Sequence, residues 1–89
     1  MTTQERIAAK LTQALDPEAL TIVDESDRHK GHVGARAGGE THYRIHIVSR
    51  AFAGKGRLER HRMVNALLAD EFAAGVHALA LKTLAPGEA

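Results

Sequence analysis

The 89-residue sequence predicts an α/β (α+β) domain in the order helix, strand, strand, helix, strand, with a three-stranded mixed sheet and its helices packed on one face. Three observations lead to that expectation. Apolar residues recur at helical spacing near the start, side chains alternate cleanly over residues 41–49, and a second helical run over 57–72 separates that alternation from a last one over 76–84. Composition agrees: 44% of residues are hydrophobic and 26% charged, as in an ordinary folded domain, and the length predicts a single domain over residues 1–89. Folding at this size buries roughly 60% of the unfolded chain's surface, which leaves a thin core and little room for an enclosed substrate cavity.

The first helix opens on Thr2 and Glu5, a T-x-x-E capping box in which the hydroxyl accepts from the third helical N–H and the carboxylate reaches back to the cap. Ile7, Leu11 and Leu15 form its apolar stripe, and Asp16-Pro17 ends it. ALTIVDE, residues 19–25, is β-branched and short, so it reads as a strand. DRHKGHVGARAGGE, residues 27–40, then carries four glycines without apolar periodicity and reads as a long loop. From Thr41 to Ser49, Tyr43, Ile45 and Ile47 alternate with His42, Arg44, His46 and Val48, the pattern of a half-buried strand. SRAFAGKG, residues 49–56, is turn-like. Arg57 to Phe72 contains neither Gly nor Pro, carries Val64, Leu67, Leu68, Glu71 and Phe72 at helical positions, and reads as one long helix ending before Gly75. VHALALKTL, residues 76–84, is the last strand, stopped by Pro86 and Gly87, and the crossover into it is expected to be right-handed.

Function classes narrow from the same residues. The net charge of +1 is no polycation, and only three aromatic residues, Tyr43, Phe52 and Phe72, disfavour a base-stacking platform. There is no cysteine, hence no disulfide framework and no thiolate metal site of the chain's own. Glu5 and Arg6 interrupt any leader-like apolar run, and no stretch approaches a membrane span, so a cytoplasmic protein without membrane contact is expected. No nucleophile elbow, P-loop or facing carboxylate pair is present, so the chain is not expected to be an enzyme.

Two features bear on binding. His29 and His32 lie on the glycine-containing loop, where neutral imidazoles can ligate Zn, Fe or Cu, although by spacing alone solvated loop histidines are the more ordinary reading. His77 opens the last strand at the rim of its apolar face, where a histidine satisfied by a backbone carbonyl is the ordinary reading. His61 shares a helical stripe with Val64 and Leu68 and reads as a structural, hydrogen-bonded residue. Arg50, Lys55, Arg57, Arg60 and Arg62 form a basic cluster at the start of the long helix, suited to phosphate contacts, with Glu59 interrupting it.

Taken together, "DESDRHKGH", "ETHYRIHIVSRAFAGKGRLERHRMV" and "VHALALKTL" resemble the BolA family from roughly Leu20 through Thr83, with Phe52, Gly54, Arg60 and His61 matching its F-x-G and R-H pattern. The resemblance implies a class II KH-like fold, a monothiol glutaredoxin as partner and a [2Fe-2S] cluster shared with it. By this resemblance His77 is one cluster ligand and His29 the other, with His32 as its neighbouring substitute. Imidazoles can replace two thiolates on one iron. The missing cysteines then imply that the thiolates come from the glutaredoxin and its glutathione. A role in transcription and stress response, with DNA held by the basic helix, is the family's other association. The free protein is expected to be monomeric. G-K-G at 54–56 is not the G-x-x-G of an RNA-clamping KH loop, so RNA binding is not expected.

Overall fold

A computed structural model of the chain describes residues 2–25, 42–76 and 78–88. The long loop expected over 27–40 lies outside the described residues. Helix α1 (Thr3–Leu15) carries the anticipated capping box in full: the Glu5 N–H donates to the Thr2 hydroxyl at 3.1 Å and the Thr2 N–H to the Glu5 carboxylate at 3.0 Å. Ile7 and Leu11 are fully buried and Leu15 nearly so. The helix stops at Asp16, whose φ of 43° places it in the left-handed region just before Pro17.

Strands β1 (Ala19–Asp24), β2 (His42–Val48) and β3 (Ala78–Leu84) form one sheet in that order. β1 runs antiparallel and β3 parallel to the central β2. Since side chains alternate with a period of two, the register sorts the sheet into two faces. Leu20, Ile22, Tyr43, Ile45, Ile47, Leu79 and Leu81 share the face that meets Ile7, Leu11, Val64 and Leu68 of the helices in one core. The other face, with Thr21, Val23, Arg44, Ala80 and Lys82, lies open. At the outer edge of β1, the Gln4 side-chain amide of α1 donates to the Ile22 carbonyl at 3.1 Å.

Two differences from the sequence-based expectation are instructive. Residues 49–56 are more than a turn: a single 3-10 turn (Arg50–Phe52) sinks the Phe52 ring completely. The expected long helix over 57–72 is two helices, α2 (Arg57–Leu67) and α3 (Ala69–Ala73), broken at Leu68. Leu68 has φ −103° and ψ 14°, and its N–H is shared between the Val64 and Asn65 carbonyls at 3.1 and 3.2 Å. No Gly or Pro explains the break, so its cause is tertiary. The tightened turn keeps Leu68 in the core while Glu71 is set against α1, where its carboxylate accepts from Arg6 Nε at 3.1 Å and from Lys10 Nζ at 2.7 Å.

Two polar groups brace this small core. Ser49 is fully buried, donating to the Leu15 carbonyl at 2.6 Å and accepting from the Ala51 N–H at 3.1 Å, while its own N–H bonds to the Leu84 carbonyl. One residue, through its hydroxyl and its main-chain N–H, thus joins the end of α1 to the ends of β2 and β3. Glu71 is the other, only 3% exposed, and Lys10 and Arg6 hold its carboxyl below the ordinary range against the opposing effect of burial. A group with a lowered folded-state pKa stabilises above the unfolded value and loses that contribution as pH falls through the folded one. Glu71→Gln should therefore cost about 1–3 kcal/mol near neutral pH. In urea titrations, the difference from wild type should shrink as the pH is lowered below the ordinary glutamate range.

Candidate functional site

The candidate ligands His29, His32 and His77 all lie outside the described residues, but the residues that flank them are placed. β1 ends and β2 begins side by side: the Glu25 N–H donates to the His42 carbonyl at 2.8 Å, and the Glu25 carboxylate pairs with Arg44 Nε at 3.0 Å. β3 begins at the same end of the sheet, because Ala78 is in register with His42. On the near side of position 77, Val76 is buried at 6% exposure and its N–H bonds to the Glu71 carbonyl at 3.0 Å. The antiparallel-then-parallel topology thus gathers Glu25, His42 and Ala78, the attachment points of both histidine-bearing segments, at one end of the sheet.

The remaining histidines are distributed otherwise. His42 and His46 are half-buried on the open face of β2, and His46 Nε2 is enclosed without a partner among the described residues. His61 is half-buried on α2 but makes no side-chain hydrogen bond among the described residues, contrary to the expectation that it would be hydrogen-bonded. No group of three or more His, Cys, Asp or Glu suited to a metal occurs among the described residues.

The basic cluster does not act as one patch. Arg57 and Arg62 are exposed, Lys55 is half-buried, and Arg50 is 89% exposed with only a loose 3.9 Å approach to Glu18. Arg57 and Arg62 stand five positions apart, about 140° around the helix, so they point in different directions. Arg60 departs most from the expectation of a solvent-facing contact. Its side chain is only 11% exposed, with the guanidinium 6.0 Å from the centre of the Phe52 ring. Nε–H donates to the Lys55 carbonyl at 2.8 Å and Nη1 to the Thr83 carbonyl at 3.1 Å. Nη1 and Nη2 also grip the Glu88 carboxylate at 2.6 and 2.9 Å. Glu88 Oε1 further accepts from the Ala85 N–H at 2.9 Å.

Sequence reasoning missed both Glu71 and Glu88 as determinants. Glu71 did leave a signal, an acid three positions after Leu68 on an apolar stripe, whereas Glu88 left none.

A one-sided mixed sheet, backed by helices and with Glu25, His42 and Ala78 gathered at one end, defines a small α+β domain of helix-strand-strand-helix-strand order. The chain belongs to the BolA-like protein family, whose model matches residues 11–88. It is 49% identical over 89 residues to a Sinorhizobium sp protein described as an uncharacterized protein in the cobS 5'region, covering 99% of this chain and 96% of that one. It is 46% identical over 83 residues to the DNA-binding transcriptional regulator BolA of Escherichia coli, covering 93% of this chain and 75% of that one. BolA1 from Arabidopsis thaliana superposes with a TM-score of 0.90 at 37% identity, covering 100% of this chain and 97% of that structure. The chain spans 57% of the length of mouse BolA-like protein 1 and 24% of the Arabidopsis SufE-like protein 1. No helix among the described residues is long and apolar enough to cross a membrane.

The contacts of Glu88 carry a pH signature. The bidentate hydrogen bonds from Arg60, then the Ala85 N–H, lower the Glu88 pKa to about 2. The pair's stabilisation is therefore complete above the unfolded carboxyl value, near 4.3, and decays as pH falls from there through about 2. Glu88→Gln should lower the thermal midpoint at pH 7 and match wild type once the pH drops below about 2. Scanning calorimetry across that range is the check.

Proposed function

We propose that this BolA-like chain is a non-enzymatic adaptor that docks on a monothiol glutaredoxin and co-ligates a shared [2Fe-2S] cluster through His77 and His29, with His32 as the alternative loop ligand. The observation that carries the reading is the gathering of Glu25, His42 and Ala78 at one end of the sheet. Two strand spacings separate β1 from β3 by about 10 Å. The four residues from Glu25 to His29 span up to about 14 Å when extended, so both imidazoles can reach one site.

The donor set fits the cluster in one way only. The chain has six histidines and no cysteine, so it can supply imidazole nitrogen to one iron, while the thiolates come from the glutaredoxin cysteine and glutathione. When bound, the cluster supplies an iron-dependent link between the two proteins, suited to iron sensing or cluster handling. The chain's own task is to present two neutral imidazoles and to keep their strands in register. Because protonation removes the ligating lone pair, cluster retention should weaken as pH falls through about 6.5, the value of an unperturbed imidazole. Mixing the two proteins with iron, sulfide and glutathione should give a visible spectrum that changes on His77→Ala. An identical spectrum from that variant sinks the reading.

A second reading, a DNA-binding transcriptional regulator, is supported by the name of the Escherichia coli relative, with the exposed Arg57 and Arg62, on separate sides of α2, as candidate phosphate contacts. Arg50 and Lys55 complete its contact set. Arg60 does not belong to that set while Glu88 holds its guanidinium. Each phosphate contact contributes a slope of about −0.9 in log K against log salt. Arg57→Ala and Arg62→Ala should each flatten the slope by about that amount in gel-shift titrations. Binding indifferent to both substitutions removes DNA from the account.

A further inference from the structure

The Arg60 guanidinium has five N–H donors in a fixed fork. Two of them are spent on main-chain carbonyls, Nε–H on Lys55 and one Nη1–H on Thr83, and these bonds come from α2's approach and from β3. They do not depend on Glu88. With the 11% exposure of the side chain and the Phe52 ring beneath it, they hold the fork in one orientation. Two further donors, a second Nη1–H and one Nη2–H, point at the same place as the Ala85 N–H. Three donors of a preset cationic cradle therefore converge on one anion, and that anion is the carboxylate of Glu88.

Glu88 is held mainly by its carboxylate. Its side chain is 42% exposed, and beyond the carboxylate its one other tie among the described residues is an N–H to the Ala85 carbonyl at 3.1 Å, just past the Pro86-Gly87 turn where Gly87 has a φ of 89°. Rotation about that turn can lift the carboxylate off without disturbing the Lys55 and Thr83 bonds. Arg57, three positions before Arg60 on α2 and so on a neighbouring part of the helix surface, is exposed. A forked guanidinium, a main-chain N–H and a neighbouring cation match a tetrahedral phosphate, which offers more acceptor oxygens than a carboxylate.

We propose that Arg60 and the Ala85 N–H form a phosphate-binding site, and that Glu88 is an internal carboxylate occupying it until a phosphate group displaces it. The Glu88 carboxylate acts as a tethered competitor, present at an effective concentration of about millimolar or more. The site goes beyond the cluster reading and does not require it.

The test is titration of inorganic phosphate into 15N-labelled wild type, Glu88→Ala and the double variant Glu88→Ala/Arg60→Lys, following the Ala85 amide and the Arg60 Nε–H signals. Glu88→Ala should bind phosphate with both signals shifting, wild type should bind at least about tenfold more weakly, and Arg60→Lys should abolish the gain. Glu88→Gln, which keeps the side chain's shape, carries the same comparison if the alanine variant is poorly folded. Phosphate binding that leaves the Ala85 amide unmoved, or equal affinity in wild type and both Glu88 variants, overturns the proposal. A parallel titration with a mixed-sequence DNA duplex identifies the source of the phosphate. Tighter duplex binding by Glu88→Ala assigns a nucleic-acid backbone, while phosphate binding without any duplex response assigns a small phosphate ester and leaves this site standing as the regulator reading falls.

Discussion

The central strand carries the constraint on which the rest of the molecule depends. Tyr43, Ile45 and Ile47 of β2 are buried at 2%, 0% and 0% exposure, all on one face. A slip of one residue relative to either neighbour would turn that strand's apolar set to solvent. Leu20 and Ile22 are thereby fixed opposite Ile47 and Ile45 on one side, and Leu79 and Leu81 opposite Tyr43 and Ile45 on the other. Because β1 is antiparallel and β3 parallel to β2, the same register that closes the core also brings the exit of β1, the entry of β2 and the entry of β3 to a common edge. Packing and the candidate site thus rest on a single pairing scheme.

With no cysteine and a thin core, the fold relies on a few polar ties that span long stretches of chain. Ser49 joins α1, β2 and β3 through three hydrogen bonds from one residue. Glu71 ties α3 to α1 across more than sixty positions. Arg60 connects the start of α2 to the end of β3 and to Glu88. Each tie leaves few donors or acceptors unmet, which is the condition under which buried charge is tolerated at all.

Much of the architecture was legible because its signals are local. The Thr2/Glu5 box, the Ile7, Leu11, Leu15 stripe and the alternation through β2 are short-range patterns with one physical reading each. The break at Leu68 was not legible: the segment has uninterrupted helical periodicity, and the pairing of Glu71 with two cations on α1 that accompanies the break is long-range. The ties of Arg60 were not legible for a comparable reason, since its partner Glu88 lies 28 positions away in a segment without periodicity. The histidine assignment came from resemblance and from the absence of sulfur donors rather than from spacing, as H-x-x-H on a glycine-rich loop has no single meaning.

The Gln4 amide bound to the Ile22 carbonyl bears on how this sheet meets other chains. β1 is a border strand, and unsatisfied main-chain groups on such a border invite a foreign strand to ladder onto it. Here a helix-borne amide already stoppers an outward carbonyl, and an incoming strand must first expel it, together with the α1 turn that carries it. The sheet's growth is therefore checked by its own first helix, so accretion of further copies along this flank is opposed from within the fold.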